Sequence, residues 1–245
     1  MPRAPDDTAL TEEGLRAQGK GRVLLLACGA LAHEILALKA ANGWQHLDLH
    51  CLPAKLHLWP ERIPDAVEQA VTAQRARYDH IYVVYADCGT GGLLQKRCAE
   101  LGVQMVPGPH CYAFYQGVDD FAARAEDEIT AFYLTDFLVR QFDAFVWRPM
   151  GFDRHPQLIA QMFGNYEKLV YQAQTDDPAL DALARGHAAR LGLDYERRLT
   201  FYGELADFMA RAAAASAEAD GRAGADSMTR TVPAAGHESG KQPPR

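Results

Sequence analysis

The chain has 245 residues, a formal net charge of −7 and 48% hydrophobic residues, which is enough apolar material for one large domain or two small ones. The acidic balance argues against nucleic acid as the main partner, because phosphate binding needs a basic surface. The apolar runs are far shorter than the roughly 20 residues of a membrane-spanning helix. The N-terminus has no apolar signal-peptide core, so we expect a cytoplasmic protein that does not bind membranes. Its five cysteines should then be reduced, which makes them candidates for metal binding or chemistry rather than for disulfides.

The two ends of the chain differ from its middle. Residues 1–19 are polar and show no apolar period, so we predict a flexible N-terminal segment. Residues 215–245 contain, apart from alanine, only Met228 and Val232 as apolar side chains. These are too few to offset the entropy of ordering, which predicts a disordered tail. Residues 20–214 are predicted to form a single α/β domain, with two lobes that divide near residues 130–150 as the alternative.

Between these ends, short apolar runs alternate with helical patterns. Strands are predicted at residues 22–27, 47–52, 81–85, 103–106, 169–173 and, at an edge, 195–199. Helices are predicted at residues 31–41, 64–77, 93–101, 130–147, 158–163, 178–191 and 203–213. This alternation is typical of βαβ units, and the near-continuous apolar strands favour a sheet that is buried on both faces. We therefore predict an α/β fold, with an open, mostly parallel twisted sheet of about five strands and helices on both faces.

Three cysteines lie just beyond the carboxyl ends of predicted strands. Cys28 follows the first strand, Cys88 the third and Cys111 the fourth. Parallel strands place these loops at one edge of the sheet, where open α/β sheets bind their ligands. We therefore expect the three thiols to converge in one site. Cys51 lies near the end of the second strand, whereas Cys98 lies inside a predicted helix and is interpreted as a packing residue.

Two histidines are candidates to complete this site. His57 lies in the loop after the second strand, and His110 directly precedes Cys111. Three thiolates and one imidazole form a common zinc ligand set, although the fourth position can also stay open for a substrate. The chain has no C-x-x-C pair, so the spacing is not that of a zinc finger. The sequence therefore predicts a zinc or iron site without deciding which histidine completes it.

Two acidic residues near these cysteines are candidate catalytic groups. Asp87 directly precedes Cys88, where it could serve as a general base or as the hydrogen-bonding partner of a metal ligand. Glu34 lies about one helical turn beyond Cys28, at the start of the predicted helix. Both carboxylates are therefore expected at the same edge of the sheet as the thiols.

The loop after Cys88 is rich in glycine and opens a predicted helix. Its candidate cofactor-binding residues are Gly89, Thr90 and Gly91. Their backbone N–H groups and the threonine hydroxyl could cradle a phosphate or a carboxylate. The loop lacks the P-loop lysine and does not match G-x-G-x-x-G, so no nucleotide-binding motif is present.

Five short motifs resemble, in their order, the domain of unknown function 1638 family of bacteria and archaea. They are residues 27–31 (ACGAL), 52–57 (LPAKLH), 85–91 (YADCGTG), 109–111 (PHC) and 132–135 (FYLT). The resemblance implies a soluble α/β protein with cysteines in these loops. It also implies a role beside corrinoid-dependent methyltransferases in one-carbon metabolism, which is an association and not a mechanism.

Three hypotheses of function follow. The first is a zinc- or iron-binding enzyme that acts on a small-molecule substrate in one-carbon or methyl-group metabolism. The second is metal-free catalysis by Cys28 and Cys88, two thiols that face each other across a pocket as in cofactor-independent amino-acid racemases. The third is a non-enzymatic accessory protein of a corrinoid methyltransferase system. Neither the substrate nor the oligomeric state follows from the sequence.

Overall fold

The computed structural model describes residues 5–228, with side chains as far as residue 215. Its strands are β1 (Val23–Cys28), β2 (Leu47–Leu52), β3 (His80–Val84), β4 (Gln104–Met105), β5 (Ala131–Thr135), β6 (Lys168–Ala173) and β7 (Asp194–Leu199). Its α-helices are α1 (Asp7–Glu12), α2 (Ala32–Asn42), α3 (Ile63–Gln74), α4 (Leu93–Leu101), α5 (Cys111–Gln116), α6 (Val118–Ala123), α7 (Asp136–Arg140), α8 (Leu158–Phe163), α9 (Pro178–Leu191) and α10 (Gly203–Met228). Short 3-10 helices span Gly29–Leu31, Ala54–Leu58 and Pro60–Arg62, and a π-helix spans Asp143–Trp147.

The strands form two parallel sheets. The first has the order β2-β1-β3-β4 and the second the order β5-β6-β7, and each pairing between these strands is parallel. All six residues of β1 are buried, as expected for a strand that is covered on both faces. The predicted α/β fold with mostly parallel strands is therefore confirmed. The strands do not form one sheet of about five, however, because they are divided between two sheets of four and three.

The prediction of one long helix over residues 130–147 is wrong. Because of this error, the sequence analysis did not predict a second sheet. The segment contains β5, α7 and the π-helix. β5 pairs along its whole length with the first five residues of β6, and its aromatic residues favour a strand. The Thr135 hydroxyl accepts a hydrogen bond from the Leu138 N–H at 3.4 Å and caps α7. Apolar periodicity alone cannot separate a buried strand followed by a short helix from one longer helix.

The N-terminal segment predicted to be flexible contains α1. Asp6 caps this helix, since its carboxylate accepts from two N–H groups of the first turn at 3.0 Å. Leu10 is fully buried, and Leu15 forms an isolated antiparallel bridge with Cys51. One buried leucine produces no apolar period, so the pattern in residues 1–19 could not reveal this anchoring.

At the other end of the chain, α10 extends well beyond the predicted helix. Residues 215–228 of the predicted disordered tail are helical, and residues 229–245 lie outside the described residues. The predicted domain limits at residues 20 and 214 stay a prediction. Within the described residues, every helix is too short or too polar to cross a membrane.

Each sheet has its own hydrophobic core. The first core is built on β1 and β3 and includes Leu205 and Met209 of α10. The second core is built on β5 and β6 and includes Phe142 and Ala184. Residues that follow β1 and β3 line a cavity together with residues of β5. The loops after β1 and β3 therefore face the second sheet across this cavity.

Candidate functional site

A cavity of about 330 Å³ lies between the two sheets. Leu31 follows β1 and Cys88 follows β3, and both line one side of it. Aromatic side chains supply much of the wall, namely Tyr112, Phe132, Tyr133 and Phe145. A cavity of this size with a mostly apolar wall is typical of a site for a small organic molecule.

A smaller space of about 20 Å³ adjoins this cavity, and we call it the thiol chamber. We define it by five of the residues that line it, namely Cys28, Cys88, Cys111, His57 and Tyr85. The volume is enough for about one water molecule or one ion. The three cysteines predicted to converge are therefore brought together, with one of the two candidate histidines. Cys88, Cys111 and His57 line both spaces, so the chamber borders the larger cavity.

Cys28 is the most deeply buried thiol of the chamber. Its sulfur lies 3.5 Å from His57 Nδ1 and accepts a hydrogen bond from the Ala30 N–H at 3.3 Å. Burial raises the pKa of the Cys28 thiol to about 12. Burial also raises the pKa of Cys111 well above its ordinary value, and the nearby Cys88 adds to the effect. The cost of burying charge thus favours the neutral thiol forms of Cys28 and Cys111.

His57 links the thiols through its imidazole ring. It lies in the short 3-10 helix after β2, and its ring stacks on Tyr85 with a centroid distance of 6.2 Å. Burial alone would lower the pKa of His57, but the hydrogen bond and the charge of Cys88 raise it overall. The imidazole is therefore within reach of the thiols of both Cys28 and Cys88.

Tyr85 is a chamber residue that sequence reasoning missed. It follows β3 and lies three residues before Cys88, and that position was the available signal. Its hydroxyl is buried next to the Cys28 thiol. Burial, followed by the neighbouring thiols of Cys28 and Cys88, raises the pKa of Tyr85 well above its ordinary value. Tyr85 therefore contributes a neutral hydroxyl to the wall.

Cys88 is held in an uncommon backbone conformation. Its φ angle is +51°, in the left-handed region that non-glycine residues rarely adopt. The Cys88 N–H donates to the Pro109 carbonyl at 2.8 Å, and the Asp87 N–H donates to the Gly108 carbonyl at 3.0 Å. These bonds fix the loop after β3 to the loop before α5. They explain how two cysteines from separate loops reach one chamber, and such strained residues cluster at functional sites.

Asp87 folds the glycine-rich loop and does not line the cavity. Its carboxylate accepts hydrogen bonds from the Thr90 hydroxyl at 2.5 Å and from the N–H groups of Gly91 and Gly92 at 3.0 and 2.7 Å. The donors expected to cradle a ligand therefore hold a carboxylate of the chain itself. Burial would raise the pKa of Asp87, but these donors lower it overall. Of the three predicted cofactor-binding residues, Gly89 lines the cavity.

The two remaining candidates lie outside the thiol chamber. His110 lines the larger cavity, and its ring centroid lies 5.1 Å from that of Tyr112 and 4.9 Å from that of Phe121. Its Nδ1 atom is buried without a hydrogen-bond partner among the described residues, and burial lowers the pKa of His110. Glu34 lines a different cavity, with Asp7 and Arg140. Its charge nevertheless reaches the Cys28 thiol, whose pKa it helps to raise.

The thiol chamber is not a formed metal centre as it stands. In the part of the chain that the structure describes, no group of three or more histidine, cysteine, aspartate or glutamate side chains has the arrangement of a metal site. The chamber brings the ligand types together, but their side chains are not arranged around a metal ion.

Comparison with known proteins shows the family and little more. No curated protein sequence matches the chain. Among solved structures, it is similar to ornithine carbamoyltransferase from Pyrococcus furiosus, with 12% identity and a TM-score of 0.19 over 72% of this chain and 54% of that one. The chain thus spans about half of that protein, and so weak a likeness carries no argument. The family model described as "Protein of unknown function (DUF1638)" matches residues 51–209, more than half of the sequence, and the chain therefore belongs to this family.

Proposed function

We propose that this protein binds a zinc or iron ion in the thiol chamber and is an enzyme that acts on a small molecule. Cys28, Cys88 and Cys111 would be the thiolate ligands, and His57 the fourth ligand. The observation that carries the proposal is the convergence of these side chains, from four separate segments, on one space of about 20 Å³. Three thiolates and one imidazole form a common zinc set, and thiolates also suit iron.

The burial of the thiols makes the proposed metal binding depend on pH. Burial disfavours the thiolate forms of Cys28 and Cys111, and a bound metal ion reverses that preference. Metal binding should therefore release protons and weaken as the pH falls. His57, which borders both Cys28 and Cys88, is better placed than His110 to complete the set.

The larger cavity supports a small-molecule substrate. Because Cys88, Cys111 and His57 line both spaces, a molecule in the larger cavity would lie beside the chamber. The aromatic wall favours a substrate with an apolar part. A metal ion in the chamber would supply a Lewis acid that lowers the pKa of a bound water or thiol. A role in one-carbon or methyl-group metabolism, with corrinoid methyltransferase components as partners, rests on the family resemblance alone.

Elemental analysis after anaerobic purification tests the metal. We would compare the wild type with Cys28→Ser, Cys88→Ser and Cys111→Ser. Cys98→Ser is the matched control, since Cys98 is buried but lies on α4 outside the chamber. The proposal expects about one zinc or iron per chain in the wild type and the control, and less than about 0.2 in the three variants. Less than about 0.2 metal in the wild type, unchanged in Cys88→Ser, would contradict it.

A second candidate is catalysis by the thiols without a metal. The specific observation is the contact of 3.5 Å between His57 Nδ1 and Cys28 Sγ, together with the hydrogen bond by which Cys88 raises the pKa of His57. An imidazole in reach of a thiol can take its proton and produce the nucleophilic thiolate. Cys28 and Cys88 would then share acid and base roles across the chamber.

Alkylation by iodoacetamide separates the two candidates. Metal-free catalysis expects one thiol to react stoichiometrically, with protection by a small carboxylate ligand and no effect of chelator. His57→Ala should slow the reaction. If chelator accelerates the alkylation, a metal ion protects the thiols and the second candidate fails.

A further inference from the structure

A second cavity, of about 390 Å³, lies where α1, α2 and α7 meet the loop after β6. Its polar lining includes Asp7, His33, Glu34, Asp136, Arg140 and Thr175. It shares no lining residue with the thiol chamber or with the larger cavity beside it. This second cavity is therefore a separate feature, built from charged side chains of both halves of the fold.

Two of its carboxylates are fully engaged by the protein. Asp7 accepts from His33 Nε2 at 2.6 Å and from Arg140 Nε at 2.6 Å. Asp136 is almost completely buried and accepts from the Thr175 hydroxyl at 2.6 Å. It also accepts from the Tyr171 hydroxyl at 2.7 Å and from a backbone N–H at 2.9 Å. The oxygens of both carboxylates therefore already accept hydrogen bonds from the protein and can accept few more from a ligand.

Two other lining residues each have a buried polar atom without a partner. Glu34 Oε2 and Arg140 Nη2 make no hydrogen bond within the described residues, and Glu34 is only 4% exposed. An unsatisfied buried group costs about 1–3 kcal/mol, and more if it is charged. The two atoms have opposite needs, because the Glu34 oxygen requires a donor and the Arg140 nitrogen requires an acceptor. A molecule that meets both needs carries a donor and an acceptor.

We propose that the second cavity binds a small zwitterion of the α-amino-acid type, with its ammonium group on Glu34 and its carboxylate on Arg140. Hydrogen bonds between ionised groups are the strong ones in proteins, and a zwitterion makes one with each residue. When Glu34 is ionised, an anion alone would leave its carboxylate without a donor, and a cation alone would leave Arg140 without an acceptor. The volume of about 390 Å³ leaves room for the side chain of the ligand.

A ligand series with the wild-type protein tests both ends of the molecule. We would screen the twenty standard amino acids at about 10 mM for a rise in the melting temperature, because a ligand of the folded state stabilises it by mass action. The amino acid with the largest shift is then compared by calorimetry with its N-acetyl and carboxamide derivatives. Each derivative removes one charge and should bind at least about tenfold more weakly, which is about 1.4 kcal/mol. No shift with any amino acid, or equal binding of either derivative, would overturn the proposal.

Variants place the ligand and separate this site from the thiol chamber. Glu34→Gln and Arg140→Gln should each weaken binding at least about tenfold. Cys88→Ser should bind the amino acid as the wild type does. If Glu34→Gln binds with wild-type affinity, or if Cys88→Ser abolishes binding, the ligand lies elsewhere and the proposal fails. Because Arg140 also anchors Asp7, a loss of folding in Arg140→Gln leaves the ligand series and Glu34→Gln to decide.

Discussion

Replacing Glu34 with glutamine should stabilise the protein at alkaline pH. Glu34 is 4% exposed, and burial raises its pKa from 4.5 to about 7. In the unfolded chain the carboxyl group ionises near pH 4.5, so the folded protein binds more protons between these two values. Stability therefore falls as the pH rises from about 4.5 to about 7. Glutamine has nearly the same shape as glutamate but no charge, so the variant should not lose this stability as the pH rises.

The size of the effect follows from the shift. One pKa unit corresponds to 1.36 kcal/mol, so a shift from 4.5 to about 7 amounts to about 3 kcal/mol of stability at pH 8. Below pH 4.5 the carboxyl group is protonated in both states and the contribution disappears. The free energy of unfolding of Glu34→Gln should thus exceed that of the wild type by up to about 3 kcal/mol at pH 8. The two proteins should differ little in this respect at pH 4.

Urea unfolding at several pH values measures this difference. The three tryptophans provide the fluorescence signal, and the difference between variant and wild type cancels the titration of other groups. Glu100→Gln is the matched control, because its side chain is 55% exposed on α4 and its replacement should change stability little at any pH. If the difference for Glu34→Gln changes by less than about 0.5 kcal/mol between pH 5 and pH 8, the reasoning about its burial is refuted.

Two further predictions concern carboxylates with lowered pKa values. Asp87→Ala should cost about 1–3 kcal/mol in thermal unfolding, because it leaves the buried Thr90 hydroxyl without its acceptor. Asp79→Ala, at an exposed ion pair with Arg22, should change stability little; similar losses in the two variants would contradict the role of Asp87 in the loop. Glu128→Gln should cost about 1.5–3 kcal/mol at pH 7, because it removes one of the two carboxylates that bind the partly buried Arg198, the other being that of Glu196. The hydrogen bond of Arg198 lowers the pKa of Glu128 to about 2, so this stabilisation is present above pH 4.5 and is lost as the pH falls towards 2. A difference from the wild type that stays constant from pH 6 to pH 3 would contradict it.

The thiol chamber shows how far sequence reasoning reached. β1 and β3 are continuous apolar runs, and such runs predict buried parallel strands. Once the strands are parallel, the residues after them must lie at one edge of the sheet. Cys28 and Cys88 could therefore be placed together without any structure. That His57 lines this chamber and His110 does not could not be predicted, because it depends on how the loop after β2 packs against the thiols.

The glycine-rich loop shows how residues of the chain itself compete for the same polar groups. Asp87 was a candidate general base or partner of a metal ligand, and Thr90 was a candidate to help hold a cofactor. In the structure each satisfies the other, together with the N–H groups of the loop. A sequence shows which donors and acceptors a segment contains, but hydrogen-bond pairing is decided by distances of about 3 Å that only the folded loop provides. The separate cavity that Glu34 lines could not be predicted either, since the distance along the chain from Cys28 does not give the direction of a side chain.

By itself, the sequence determined the α/β class, the parallel strands and the meeting of three cysteines at the ends of those strands. These features follow from local apolar patterns and from the geometry of parallel sheets. Only the tertiary structure decided that residues 131–135 belong to a second sheet, that Asp6 and Leu10 anchor the N-terminal segment, and that a charged cavity lies apart from the thiols. Each of these depends on contacts between residues far apart in the chain. Such contacts depend on packing and hydrogen bonding across the fold, which no local pattern encodes.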